Sequence, residues 1–126
     1  MIVADTSTWV AYLQGDAAED TELLDRALND RQVVMAPVVL TELLSDPQLP
    51  PAIAKTISEV PLVSVVSGYW ERAGKLRAKV LARSRKARLG DALIAQSCID
   101  AGVALITRDG DFRAFAEAAG LHLLAH

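Results

Sequence analysis

The stretch VALITRDGDF at residues 103–112 indicates how this chain folds. Its first four residues are apolar, and Thr107, Asp109 and Asp111 follow them around a single glycine. A short apolar run bounded by turn-forming residues is typical of a buried β-strand. Residues 103–106 are therefore predicted to form a strand, and the acidic residues are expected at its carboxyl end.

The stretch IVADTS at residues 2–7 repeats this pattern near the start of the chain. The apolar run over residues 2–4 predicts a strand, and Asp5 and Ser7 follow it. Ligands of open parallel sheets bind outside the carboxyl ends of the strands. Asp5 and the acids after residue 106 are thus predicted to face the same edge of a sheet.

Helical and strand patterns alternate along the rest of the chain. Ser67 is expected to cap a long helix, and Trp70 is expected on the apolar face of that helix. Such alternation predicts one α/β domain over residues 1–126, in which helices cover both faces of a mostly parallel sheet. The first predicted helix follows the capping residues 5–7 and is broken by Gly15 and Asp16. The other predicted helices span residues 17–29, 38–44, 52–58, 91–101 and a short segment around 115, and the other predicted strands span residues 32–36, 62–66 and 121–124.

Composition excludes several classes of protein. The chain has 126 residues, of which 52% are hydrophobic and 23% are charged, so it is long and apolar enough to fold without disulfides or a structural metal. A single cysteine, Cys98, cannot build a disulfide framework or a cysteine-based zinc site. The longest apolar run, residues 33–40, is far shorter than a membrane helix needs, and no secretory signal is recognisable. We therefore expect a soluble cytoplasmic protein.

The charges are distributed unevenly. Residues 1–46 contain nine acids and two bases, whereas residues 72–88 contain eight bases and no acid. A basic segment in an acidic protein is a candidate surface for phosphate groups, although a solvated helix face gives the same pattern. The bases nearest to the acidic residue Asp91 are Arg83, Arg85, Lys86 and Arg88.

Two further acids stand out because their neighbours are apolar. Glu42 lies in a helix that is apolar almost all round, which predicts a buried carboxylate, and Asp91 precedes the apolar run ALIA. Each acid has an ordinary structural alternative: Asp5 as a helix cap, Asp91 as a first-turn acid, and Asp109 and Asp111 as turn residues. Convergence of four such acids would be harder to explain by these alternatives than any single acid is.

An acid cluster of this kind points to a hard divalent cation. Oxygen ligands without histidine or cysteine favour Mg²⁺ or Mn²⁺ over zinc. His122 and His126 lie far from the acids in sequence, and there is no glycine-rich phosphate loop. A nucleotide-hydrolysing motor is therefore not expected.

The four acidic segments, in this order, resemble those of the PIN-domain ribonucleases, and in particular the VapC-type toxins of bacterial toxin–antitoxin pairs. The resemblance covers essentially the whole chain. The matching segments are VADTS at residues 3–7, TELL at 41–44, GDALIA at 90–95 and LITRDGDF at 105–112.

The resemblance implies a three-layer α/β/α fold and an Mg²⁺- or Mn²⁺-dependent endoribonuclease in which a metal-activated water hydrolyses RNA. Matched position by position, the catalytic acids are Asp5, Glu42, Asp91 and Asp109, with Asp111 as a further metal ligand. Ser7 and Thr107 match supporting hydroxyl positions. Arg83, Arg85, Lys86 and Arg88 would then bind the RNA backbone.

The resemblance also implies two protein partners, a small antitoxin that covers the acidic pocket and a second copy of the chain. Two other functions remain open at this point. One is a non-catalytic nucleic-acid-binding or scaffold protein of the same fold, and the other is a phosphate-transfer or receiver domain with Asp5 as nucleophile. The second has little support because there is no acid two residues after Asp5 and no evident partner lysine.

Overall fold

The computed structural model describes residues 1–124 and contains three strands and seven helices in that part of the chain. The elements in chain order are β1 (Ile2–Ala4), α1 (Thr6–Leu13), α2 (Glu19–Asn29), α3 (Pro37–Leu44), α4 (Pro51–Ser58), α5 (Tyr69–Ala82), α6 (Leu89–Ala101), β2 (Ala104–Ile106), α7 (Phe112–Ala119) and β3 (Leu123–Leu124).

The sheet is parallel, as predicted, and β2 lies at its centre. Strand β1 pairs with β2 in the register Ile2 to Ala104, and β3 lies on the other side of β2. Helices α2 and α6 both contact β2, and Val3, Leu105 and Ile106 are completely buried. The prediction of an α/β fold with a parallel sheet flanked by helices is confirmed.

The strands predicted at residues 32–36 and 62–66 are reduced to single bridges. Val33 pairs with Ile2 in parallel, and Met35 pairs with Leu62. Met35 is fully buried, but Val65 and Val66 are about half exposed, so the second segment leaves the sheet soon after Val63. The β-branched residues that suggested a longer strand therefore lie on the surface.

The start of α5 also differs from the prediction. Gly68, not Ser67, precedes the helix, and its φ of +82° is a left-handed conformation that favours glycine. The buried aromatic residue is consequently Tyr69, whose hydroxyl donates to the carbonyl of Leu93 at 2.7 Å. Trp70, predicted on the apolar face, is 63% exposed.

The boundaries of the other helices agree closely with the sequence pattern. Pro37 occupies the first turn of α3, and Gly102 ends α6 with a φ of +66°. Helix α6 begins at Leu89, two residues earlier than expected, so Gly90 lies within it. No helix within residues 1–124 is long and apolar enough to cross a membrane.

Candidate active site

Asp5 lies where β1 ends and α1 begins, and it is 3% exposed. Its Oδ1 atom accepts a hydrogen bond from the backbone N–H of Thr8 at 3.0 Å, as an N-cap does. The hydroxyl of Ser7 donates to the same carboxylate at 2.9 Å, and that of Thr107 donates to Oδ2 at 2.6 Å. Burial raises the pKa of Asp5, and these hydrogen bonds oppose the rise.

Thr107 also organises the loop after β2. It is completely buried, and its hydroxyl oxygen accepts a hydrogen bond from the backbone N–H of Asp109 at 2.9 Å. The backbone N–H of Asp111 donates in turn to Oδ1 of Asp109 at 2.9 Å. One hydroxyl thus connects Asp5 to the loop that carries Asp109 and Asp111.

Asp91, in the first turn of α6, completes a cluster with this loop. One carboxylate oxygen each from Asp91, Asp109 and Asp111 lies within 4.8 Å of the other two. Burial, together with the negative charge of Asp109, raises the pKa of Asp91 to about 6. Its Oδ2 atom is buried and has no hydrogen-bond partner within residues 1–124. A buried, unpaired carboxylate oxygen beside two other carboxylates fits a divalent cation.

Glu42 is exposed, contrary to the prediction of a buried carboxylate. Helix α3 buries only one side, through Val39 and Leu43, so Glu42 faces outward. The hydroxyl of Thr6 donates to its Oε1 atom at 2.7 Å. The other carboxylate oxygen lies 3.5 Å from where a Cβ on Gly90 would be, so Glu42 lies beside the start of α6, next to Asp91. The structure therefore brings the predicted acids together from α3, α6, the end of β1 and the loop after β2.

The basic segment at residues 72–88 does not form one continuous face. Arg72 pairs with Asp100, while Arg77 and Lys79 donate to backbone carbonyls at 2.8 and 2.6 Å. These three side chains bind other parts of the protein, so neither a phosphate-binding surface nor a solvated helix face describes them.

The four bases nearest to Asp91 differ in their partners. Arg85 pairs with Glu117 at 3.1 Å, and Lys86 approaches Asp111 at 3.5 Å. Arg83 and Arg88 are exposed and make no ion pair within residues 1–124. Lys86 therefore touches the acidic cluster directly.

Comparison with known proteins identifies the family. A sequence profile of the PIN domain matches residues 2–118. The chain belongs to the PIN domain family. PIN domains are generally nucleases. No curated protein matches this PIN domain at a significant level.

Solved structures with the same fold include chains from three complexes. VapBC2 from Rickettsia felis, bound to a DNA fragment from their promoter, gives a TM-score of 0.75 at 19% identity, covering 100% of this PIN domain and 99% of that chain. FitAcB from Neisseria gonorrhoeae gives 0.70 at 16% identity, with 98% and 96% covered. VapBC-5 from Mycobacterium tuberculosis gives 0.69 at 23% identity, with 98% and 97% covered. These matches confirm the PIN-like fold.

Four polar residues around the site of this PIN domain were not singled out from the sequence. Thr6 and Thr8 alternate with Ser7 after Asp5, and the DTST pattern was the available signal for them. Asp20 and Arg108 pair with each other across 88 residues of sequence. No local pattern connects such distant residues, so only the fold reveals this pair.

Proposed function

We propose that this PIN domain is an Mg²⁺- or Mn²⁺-dependent endoribonuclease that acts as the toxin of a toxin–antitoxin pair. The observation that carries the proposal is the cluster of Asp91, Asp109 and Asp111, in which the buried Oδ2 atom of Asp91 has no hydrogen-bond partner in the described part of the chain. Because every available ligand is a carboxylate oxygen, Mg²⁺ and Mn²⁺ suit the site better than zinc does.

Asp91, Asp109 and Asp111 are the residues that would hold the cation, and Asp5 contributes a fourth negative charge. When bound, the cation lowers the pKa of a water and neutralises charge at the scissile phosphate. Asp5 is kept in a single orientation by its hydrogen bonds from Ser7 and Thr107. Its role would therefore be to hold a fixed negative charge near Asp91, one of the residues that would bind the cation.

Glu42 has a different role from the buried acids in this proposal. It is exposed at the edge of the pocket, and the hydroxyl of Thr6 orients one of its oxygens. Hydrolysis of a phosphodiester releases a proton from the attacking water, which needs an acceptor near the phosphate. Glu42 is the acid best placed to accept this proton, since solvent can reach it and carry the proton away.

RNA is the proposed substrate because positively charged side chains lie beside the acidic cluster. Arg83 and Arg88 are exposed, and Arg88 is the residue immediately before α6, three positions from Asp91. Arg85 and Lys86 lie in the same loop, although each already contacts an acid. Phosphate groups of a single strand that passes over this loop would approach the acidic cluster.

The proposed antitoxin would bind a groove beside Glu42. The groove has a volume of about 240 Å³ and lies between α1, α3 and α4. An antitoxin segment with apolar residues for the groove and one basic residue for Glu42 complements this surface. Similar chains occur in VapBC and FitAB complexes, which supports such a partner. The apolar lining residues are Val10, Leu13, Leu43, Leu49, Pro50 and Ile53.

We also propose that the chain forms a homodimer in the cytoplasm. Val65, Val66 and Trp70 expose apolar side chains near the start of α5, which a second copy of the chain would cover. Cys98 is buried and makes no disulfide, which suits a reducing compartment.

A cleavage assay on an RNA pool tests the proposed nuclease. The wild-type chain is expected to cleave RNA with Mg²⁺ or Mn²⁺ and to be inactive in a chelator. Asp5→Asn should lose activity while remaining folded, because asparagine keeps an oxygen that can cap α1. Asp30→Asn, which removes a charge from an exposed residue at the end of α2, is the matched control and should cleave normally.

Two results would contradict the proposal. Wild-type activity in Asp5→Asn would show that the assigned acids are not the site. Binding of RNA without any metal-dependent cleavage would favour the non-catalytic nucleic-acid-binding protein instead.

A further inference from the structure

Asp20, outside the acidic cluster, receives hydrogen bonds from two different parts of the molecule. It lies in the first turn of α2, and its side chain is 6% exposed. Its carboxylate accepts from Nε and Nη2 of Arg108 at 2.8 and 3.0 Å, and from the hydroxyl of Thr8 at 2.9 Å. The two-point contact with Arg108 holds the pKa of Asp20 below its usual value. The carboxylate of Asp20 is therefore charged and held in one orientation, and it serves as a fixed attachment point, or anchor, for Thr8 and Arg108.

Thr8 connects this anchor to Asp5. The hydroxyl of Thr8 donates to Asp20, whereas its backbone N–H donates to Oδ1 of Asp5 at 3.0 Å. Thr8 is completely buried, so neither contact competes with solvent. The position of Asp5 at the start of α1 is thus coupled to the position of Asp20.

Arg108 connects the same anchor to the other half of the cluster. It lies between Thr107, which donates to Asp5, and Asp109, which belongs to the cluster. Its side chain extends to Asp20 and also to Asp16, at 2.9 Å. The loop that carries Asp109 and Asp111 is consequently held to α2 by a side chain as well as to Asp5 through Thr107.

We infer that Arg108 and Asp20 are positioning residues for the divalent cation of this PIN domain, because they fix the loop of Asp109 and Asp111 relative to Asp5. The inference rests on the proposed function. Magnesium requires nearly ideal octahedral geometry, so a loop that moves by a fraction of an ångström binds it less well. Loss of residues that orient metal ligands typically weakens metal binding by about 10–100-fold.

A second arginine–aspartate pair resembles the pair of Arg108 and Asp20 in geometry but has no hydrogen bond to the acidic cluster in the described part of the chain. Arg72 contacts Asp100 through Nε at 3.1 Å and Nη2 at 2.5 Å, and Gln96 donates to the same carboxylate at 2.9 Å. The side chain of Asp100 is 10% exposed, close to that of Asp20. This pair joins α5 to α6 and contains no residue of the acidic cluster. Breaking it is therefore the control for a general loss of stability.

The test compares Arg108→Gln with Arg72→Gln by calorimetric titration of Mn²⁺ into the metal-free protein, without RNA. Positioning predicts that Arg108→Gln weakens Mn²⁺ binding by about 10–100-fold while Arg72→Gln leaves it unchanged. If Arg108 acted only through its charge, its removal near the acids would strengthen Mn²⁺ binding. The two explanations thus predict changes of opposite sign.

Several outcomes would overturn the inference. Unchanged or tighter Mn²⁺ binding in Arg108→Gln contradicts positioning, and equal weakening in both variants assigns Arg108 a purely structural role. If Arg108→Gln does not fold, Arg108→Lys keeps the charge but loses the two-point contact. Wild-type affinity in Arg108→Lys then also contradicts positioning. A wild-type chain that binds no Mn²⁺ overturns the proposed function itself, and the inference with it.

Discussion

At the scale of single residues, two carboxylates of the site differ in what surrounds them. Asp5 receives hydrogen bonds from two hydroxyls and a backbone N–H, so protein groups stabilise its charge. Oδ2 of Asp91 is buried without such a partner among residues 1–124. A buried negative charge without hydrogen bonds is unfavourable, and a cation would remove that cost. Asp91 is therefore the residue whose negative charge should be stabilised most by a bound metal ion.

The stability of the metal-free protein should depend on pH because of Asp91. Its pKa is about 6 in the folded chain and 3.8 as a reference, so the folded state binds the extra proton more tightly. This contribution is fully present below about pH 4 and is lost as pH rises through 6. With solvent screening, the free energy of unfolding should fall by about 1 kcal/mol between pH 5 and 7.5.

Denaturant titrations in a chelator at several pH values measure this effect. Asp91→Asn should remove most of the decrease, although the raised pKa of Asp5 leaves a smaller change in the same direction. The lowered pKa values of Asp20 and Asp100 change the free energy of unfolding only in more acidic solution. A wild-type chain whose stability is flat from pH 5 to 7.5 would contradict the environment described for Asp91.

Glu42→Gln should change the stability of the metal-free protein by no more than about 0.5 kcal/mol. Glu42 is exposed, and glutamine keeps an oxygen that can accept from Thr6. Thermal melts in a chelator provide the measurement. A loss of several kcal/mol would instead reveal Glu42 as one half of a buried ion pair.

At the scale of secondary-structure elements, the order of strands and helices was easier to predict from the sequence than the residues at which each strand ends. Strands β1 and β2 were predictable because each is a short apolar run followed directly by polar turn residues. The segment at residues 62–66 is also a short and largely apolar run, but Val65 and Val66 are on the surface. Local composition does not distinguish apolar residues that pack in the core from apolar residues that lie on the surface.

Glu42 shows the same difficulty within a helix. The apolar neighbours of α3 suggested burial all round, yet Val39 and Leu43 are the residues buried there and Leu44 is 44% exposed. Apolar residues on the outer face of a helix are compatible with a surface that another molecule covers. Sequence could predict which acids belong together, but it could not predict how deeply each is buried.

The loop before α6 should bind the phosphate groups of RNA. Neutralising Arg83 and Arg88 together, with Arg83→Gln and Arg88→Gln, should weaken RNA binding and reduce the slope of log affinity against log salt. Each lost phosphate contact on a single strand reduces that slope by about 0.7. Binding titrations at several salt concentrations, with Asp5→Asn in the background to prevent cleavage, provide the measurement.

Arg26→Gln with Arg31→Gln removes the same charge elsewhere and is the matched control. The parallel pairing of Val33 with Ile2 places Arg31 near the amino ends of the strands, away from the acids. This control should leave the salt slope unchanged. Equal slopes for the wild-type chain and the Arg83 and Arg88 variant would show that the loop is only a solvated surface.

At the scale of the whole molecule, the site exists because the parallel sheet brings distant segments together. The acids come from residues 5, 42, 91 and 109–111. Predicted strand ends placed Asp5 and the acids after residue 106 at one sheet edge, and the resemblance to PIN-domain ribonucleases implied that Glu42 and Asp91 join them. The pair of Asp20 and Arg108 was not predictable, because Asp20 lies outside the four acidic segments and Arg108, although it belongs to the segment at residues 105–112, looks like an ordinary surface charge in sequence. Long-range polar contacts of this kind become visible only in the folded chain.

The proposed homodimer is tested at the same scale. Trp70→Glu places a charge in the exposed apolar surface near the start of α5, so the variant should sediment as a monomer where the wild-type chain sediments as a dimer. The fold should persist because Tyr69, not Trp70, is the buried aromatic residue of this turn. A monomeric wild-type chain would contradict the proposed dimer without affecting the proposed nuclease site.

The most direct test of the central claim is anomalous diffraction from crystals of the protein that contain Mn²⁺. If the acids form one divalent-cation site, an anomalous peak should lie within coordination distance of Asp91, Asp109 and Asp111, and it should disappear in crystals of Asp91→Asn. Manganese located elsewhere on the molecule, with these three carboxylates unligated at saturating metal, would contradict the account.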